Sequence, residues 1–326
     1  MTNKILYFPY INIPNNSWTV KSILYWDEVA AITPQSYIQN TDNLSDFMKE
    51  VLQNELVKQI FPWDIDSREV DFENFERMLK NSSVCLDEKR TLFLQGNNVI
   101  KIHREKFCYQ IFNFLEQQNV AKEEGKYSDW YFVEKGIASL MMLYLATKLS
   151  EANGYTPTTD KQENIPLKFK SDSLNITTDE IRSQILTEIL PYPESPDFST
   201  IANFKSKYKS ELTSFRHAIE SLTFNLASEK NSKIRRDRME SEIYLINQER
   251  DRLVELLKEH KFIKVLKGSI WGVGVDAFAT MVTGEIVTLG AGTAIGFVKS
   301  LSENYKSAPA KNEKYAYLAL LDQKIK

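Results

Sequence analysis

Histidine and cysteine are the scarcest chemical resources of this chain, with three histidines and two cysteines among 326 residues. Cys85 and Cys108 cannot build a disulfide framework, and so few thiols fit a reducing, cytoplasmic setting. His103, His217 and His260 have no Cys, Asp or Glu partners at metal-ligand spacing, and neither HExxH nor a cysteine pair is present. No GxSxG elbow supports a serine hydrolase. Glycine (11) and proline (10) are too few for a collagen-like or low-complexity chain. Long apolar runs are missing as well. The longest uncharged stretch of the glycine-rich region, Ile286 to Val298, falls short of the about 20 residues that a membrane-spanning helix needs. The N-terminal MTNKILYFPYINIPNN lacks the long apolar core and cleavage site of a signal peptide.

What is present is a 42% apolar, 12% aromatic and 26% charged composition, ample for a packed core and sized for two domains. The formal charge of −3 implies no polyelectrolyte partner. It is unevenly shared. Residues 1–160 carry 16 Lys+Arg against 22 Asp+Glu, whereas residues 161–326 carry 25 against 22. A nucleic-acid or anionic-membrane surface, if there is one, is therefore expected in the second half.

Hydrophobic spacing predicts an α+β fold, mainly helical, with small β elements in the N-terminal half and a long antiparallel helical hairpin in the C-terminal half. Ile5 to Ile13 reads as a buried strand in which Pro9 argues for an edge position or a bulge. Helices are predicted from Trp18 to about Ile32, stopped by Pro34, from Asp42 to Ile60, and from Phe72 to Leu79. Thr91 to His103 reads as two short strands around Gly-Asn-Asn. Arg104 to Gln117 reads as a helix, Asn119 to Glu134 as a hairpin turning near Gly125, and Ile137 to Ala152 as a core helix. The order helix, hairpin, helix makes residues 91–152 a winged-helix-like piece within a domain spanning 1–155. Residues 156–177, opening with TPTTDKQENIP, read as a linker.

The helical domain is placed at 178–326. Thr178 to Leu190 forms a short helix, and Asp197 caps a long one from Phe198 to about Ala227. Ile201, Tyr208, Phe215 and Leu222 recur every seven residues along it, beside Leu212, Ile219 and Leu226. A second arm runs from about Lys233 to Leu266. Residues 268–298 form an apolar, glycine-rich hairpin, with Gly272, Gly274, Gly292 and Gly296 and only two charges, Asp276 and Glu285. Tyr315 to Leu321 closes the chain with an amphipathic or strand-like piece.

Few of these segments carry chemistry. Gly272-Val273-Gly274-Val275-Asp276-Ala277 fits a loose dinucleotide fingerprint, yet it follows a charged helix instead of a strand, and Asp276 would repel a pyrophosphate. GAGTAIGFVKS lacks the lysine after its last glycine that a phosphate loop requires. No cofactor is expected. Asp64 and Asp66, in WDIDSREVDFE, could share a hard cation and are the candidate metal ligands. Lys233, Arg235, Arg236 and Arg238, with Lys230, form a basic tip on the helical hairpin that could meet phosphates or an acidic partner. The wing, Lys122 to Trp130, is acidic and suits protein contacts better than a DNA backbone.

LYFPYI, Trp18, LYWDEVAAITP, IHREKF, WYFVEK, TPTTD and the glycine-rich C-terminal stretch ending in YAYLALL together resemble an uncharacterised bacterial protein family, across most of the chain. The resemblance implies no activity. It implies a setting near mobile-element or phage-defence genes. The expectation is a non-enzymatic interaction or effector protein with a protein partner. The alternatives are a metal-dependent nuclease, a nucleic-acid-binding protein, and a membrane-active effector that releases residues 268–298. Oligomeric state leaves no signature in the sequence.

Overall fold

A computed structural model describes residues 4–64, 72–82, 84–96, 98–160, 173–191, 196–258 and 314–325. The chain divides into two compact units, Met1–Ile176 and Thr177–Lys326. It is a mixed α/β protein, mostly helical, with one small parallel and one small antiparallel sheet.

The first unit begins with β1 (Lys4–Tyr7), α1 (Ser17–Tyr25), β2 (Glu28–Ile32), α2 (Gln35–Gln39), α3 (Asp46–Gln53) and β3 (Val57–Ile60). All three strands run parallel in the order β3-β2-β1, and β7 (Thr156–Thr158) joins the far side of β1, also parallel. Several sequence expectations change here. β1 is a central strand, and Pro9 lies beyond its end at a cis Phe8–Pro9 bond, so the proline costs the ladder nothing. The helix expected through Ile32 stops at Tyr25, because Glu28–Ile32 is an interior strand whose last four residues are buried. Such short apolar runs look alike in helix and strand, and pairing on both sides decides for strand. The helix expected to reach Ile60 ends at Gln53. Glu55 then adopts φ 55 and sends Val57–Ile60 to the sheet edge. The first residues of the expected linker form β7.

Between β3 and β7 the chain makes α4 (Phe72–Asn81), α5 (Leu86–Leu94), β4 (Val99–His103), α6 (Tyr109–Gln117), β5 (Ala121–Glu123), β6 (Trp130–Glu134) and α7 (Lys135–Asn153). Thr91 to Leu94 is the end of a helix and not a strand. Gly96, at φ 75, follows that helix in the left-handed conformation that glycine adopts without strain. Arg104–Lys106 is a 3-10 turn, so α6 begins only at Tyr109. The antiparallel sheet has the order β4-β6-β5. It is no separate body: Leu6, Ala30, Ile32 and Ile60 of the parallel sheet share one core with Ile102, Phe112, Tyr131, Val133 and Leu145. The alternate residues Ile5, Tyr7, Val29 and Ala31 are buried too, and Trp18 of α1 lies against Tyr7 with ring centroids 5.4 Å apart. The parallel sheet is thus covered on both faces, as its near-continuous apolar strands require.

α8 (Ser173–Ile189) begins just before the boundary and runs into the second unit, which also contains α9 (Phe198–Lys207), α10 (Lys209–Ala227), α11 (Ser232–Lys258) and α12 (Ala316–Lys324). Asp197 caps α9, accepting from the backbone N–H groups of Ser199 and Thr200. The single helix expected over 198–227 is broken at Tyr208 (φ −113, ψ 36). YAYLALL is helical, and its Tyr317 is fully buried, stacking on Phe215 with centroids 5.6 Å apart and meeting Phe204 at 5.4 Å. Of the residues expected at heptad spacing, Ile201, Leu212, Phe215, Ile219 and Leu226 are buried, as are Ile246 and Leu253 of α11, whereas Tyr208, Leu222 and Met239 are half-buried. The buried ones form the core that α12 completes by packing on α10 and α11.

Candidate functional site

Open α/β sheets bind ligands outside the carboxyl ends of their strands, at the point where strand order reverses. Here that point lies between β1 and β7, and the carboxyl ends of β1, β2 and β3 flank it. All three are bridged by one turn, Arg104–Lys106, delivered by β4 from the antiparallel sheet. Lys106 Nζ donates to the Pro9 carbonyl beyond β1 at 3.0 Å. The Glu105 carboxylate accepts from both the N–H and the hydroxyl of Ser36, beyond β2, each at 3.0 Å. Trp63, beyond β3, donates its indole N–H to the Glu105 carbonyl at 2.8 Å. At the reversal itself the Tyr7 hydroxyl donates to Asp160 at 3.0 Å. Burial and that carboxylate push the Tyr7 pKa up.

The charges of this turn are unusual. Lys106 is only 3% exposed and has the Met142 sulfur 3.9 Å away in place of a carboxylate. Burial pushes its pKa down to about 7. His103 is buried as well, and burial lowers its pKa. Its Nδ1 accepts from the Glu105 N–H at 3.3 Å, which fits a neutral ring carrying its proton on Nε2. Tyr37 and Trp130 stand edge-on to that ring at 5.6 and 5.0 Å.

Chemically the constellation is closed. Ser36 gives its proton to a carboxylate and not to an imidazole, so no Ser–His pair activates it. Lys106 has the acidity of a nucleophilic amine, but it is enclosed by protein. Sequence reading missed Ser36, Glu105 and Lys106, although IHREKF was visible as a motif. What would have singled them out is the parallel pairing of β1, β2 and β3, which no local pattern reveals.

The residues singled out from sequence are not brought to this edge as a group. Asp64 ends the 3-10 turn Pro62–Asp64, while Asp66 lies outside the described residues. Among the described residues no three His, Cys, Asp or Glu side chains gather as a metal site. Lys233, Arg235, Arg236 and Arg238 occupy the first two turns of α11. Gly272, Gly274, Asp276, Glu285, Gly292 and Gly296 lie outside the described residues, as does the whole hairpin expected at 268–298. Among the described residues no helix is long and apolar enough to cross a membrane. No protein family, curated protein or solved structure matches the chain.

Proposed function

We propose that this chain is a non-enzymatic interaction protein of the bacterial cytoplasm, acting through the surfaces of its helical unit, with α10 and α11 as the arms of a long antiparallel hairpin. The observation that carries the reading is the self-bridged carboxyl edge of the parallel sheet. Its strand ends are tied by Glu105, Lys106 and Trp63, where a ligand would otherwise sit. The helical unit supplies the contrasting surface. Phe224, Ile234, Tyr244 and Leu245 on α10 and α11 are about half exposed or more. Exposed aromatics and aliphatics beside arginines are the side chains from which binding hot spots are built. A role in antiviral defence rests on the sequence resemblance alone. The metal-nuclease and membrane-active alternatives depend on Asp66 and on residues 268–298.

The test is affinity capture from the native host, followed by reconstitution from purified components. A stoichiometric complex that loses its partner when Tyr244 and Leu245 are changed to Ser supports the reading. Substrate turnover by the purified chain, abolished by Glu105→Gln or Lys106→Met in a folded variant, overturns it.

A further inference from the structure

The start of α11 breaks the usual rules of helix electrostatics. Helix N-termini favour acidic side chains, and i,i+4 ion pairs are stronger with the acid placed first. The first turn of α11 has no acid at all, and its cations precede their acids: Lys233 before Asp237, Arg236 before Glu240. Neither pair forms an ion pair. The side chains of Lys230, Lys233, Arg236 and Arg238 are exposed and make no hydrogen bond or ion pair among the described residues. Elsewhere in the unit three arginines do pair: Arg182 with Glu220 at 2.7 Å, Arg250 with Asp251 at 2.7 Å and Arg252 with Glu249 at 3.3 Å.

The remaining charges of this tip have structural work. Arg235 donates to the Glu229 carbonyl at 3.3 Å, and the Glu229 carboxylate accepts from the Asn231 N–H at 3.0 Å. Asn231 in turn caps the helix, accepting from the N–H groups of Lys233 and Ile234. A folded tip therefore presents free cations, with Phe224 (54% exposed) in the last turns of α10 and Ile234 (47%) in the first turn of α11. Local rules are broken mainly where function requires it.

We propose that this tip binds the phosphate backbone of nucleic acid, through Lys230, Lys233, Arg236 and Arg238, with Phe224 offering a face on which a base can stack. The proposal gives the interaction reading above a partner chemistry and rests on it. The winged-helix-like piece is the weaker alternative: Lys101 pairs with Glu124, Arg104 lies 3.8 Å from Asp129, and the exposed Lys122 and Lys126 stand among Glu123, Glu124 and Asp129.

Fluorescence anisotropy of the full chain against a labelled 30-nucleotide oligo(dT) and a 30-base-pair duplex, from 50 to 200 mM NaCl, tests it. Wild type should bind at least one probe, with affinity falling steeply as salt rises. K233E/R236E/R238E should bind at least tenfold more weakly, with a salt slope flatter by about 2–3. If that variant fails to fold, R236Q/R238Q is the substitute, with an expected loss of at least threefold. The proposal is overturned by absent wild-type binding at 50 mM salt. Unchanged binding by the tip variants overturns it too, as does loss through K122E/K126E in their place. Equal affinity for poly-glutamate at competing concentrations, or binding to anionic vesicles alone, also sinks it. A protein complex captured from the host through Tyr244 and Leu245, together with absent nucleic-acid binding by the full chain, would end this proposal while leaving the interaction reading intact.

Discussion

The carboxyl edge of the parallel sheet and the tip of α11 use charge in opposite ways. At the sheet edge Glu105 and Lys106 have partners within the chain and, with Trp63, hold three strand ends to one turn, while Tyr7 donates to Asp160. At the tip the side chains of Lys233, Arg236 and Arg238 have no partner among the described residues and face solvent. Charge placed inside a fold must be satisfied there, because an unpaired buried ion costs several kcal/mol. Charge on a surface is nearly free, and stability places little constraint on it. The difference teaches where to look for each role: buried polar groups for architecture, unpaired surface groups for partners.

The largest effect expected is in the helical unit's own core. Phe215→Asp puts a charge where a fully buried ring stacks on Tyr317, and should cost about 3 kcal/mol or more. Loss of helical signal on chemical denaturation at much lower urea would show it, and an unchanged midpoint would refute the core assignment. Next comes the sheet edge. Glu105→Ala strands the Ser36 N–H and hydroxyl and should cost about 1–2 kcal/mol, discounted because the carboxylate is 34% exposed. A matched loss in Ser36→Ala, non-additive in the double variant, would tie the effect to this contact.

The third expectation concerns pH. Between about 7 and about 10 the unfolded chain keeps the Lys106 proton that the folded chain has released, so stability should rise with pH across that window. The slope contributed is at most about 1.4 kcal/mol per pH unit. Below about 7 both states hold the proton and this contribution is flat. Lys106→Met should remove the slope, measured as urea midpoints at pH 7, 8 and 9. An identical slope in that variant would mean that Lys106 keeps its ordinary acidity. The smallest effect is expected at the tip. Arg236→Glu with Arg238→Glu should shift stability by less than about 0.5 kcal/mol, as surface substitutions do. A larger loss would move these arginines from the partner's account to the fold's.

Several elements were legible from local pattern. The helix over 72–81 has Phe75 and Leu79 inward, the hairpin of β5 and β6 reads from alternation, and the helix over 135–153 ends at Asn153-Gly154, where Gly154 takes φ 68. Most of the heptad residues from Ile201 to Leu253 were legible as a buried face, although Tyr208, Leu222 and Met239 are only half-buried and the break at Tyr208 was not legible. The strands β2, β3 and β7 were read as helix, helix and linker. Each is five residues or shorter, and only its neighbours in the sheet hold it extended.

The sequence by itself determined the helical character of the described residues from 173 onward, the paucity of thiols and imidazoles, and the cationic start of α11. These depend on composition and on periodicity within one segment. Tertiary structure alone decided that Ile5, Val29 and Val57 lie on adjacent parallel strands, and that Thr156 completes the sheet beside Ile5. It alone carried Glu105 and Lys106 to the strand ends and buried a lysine against Pro9. The reason is range: parallel pairing joins residues separated by whole crossover connections, and the free energy of those contacts appears in no window of the sequence.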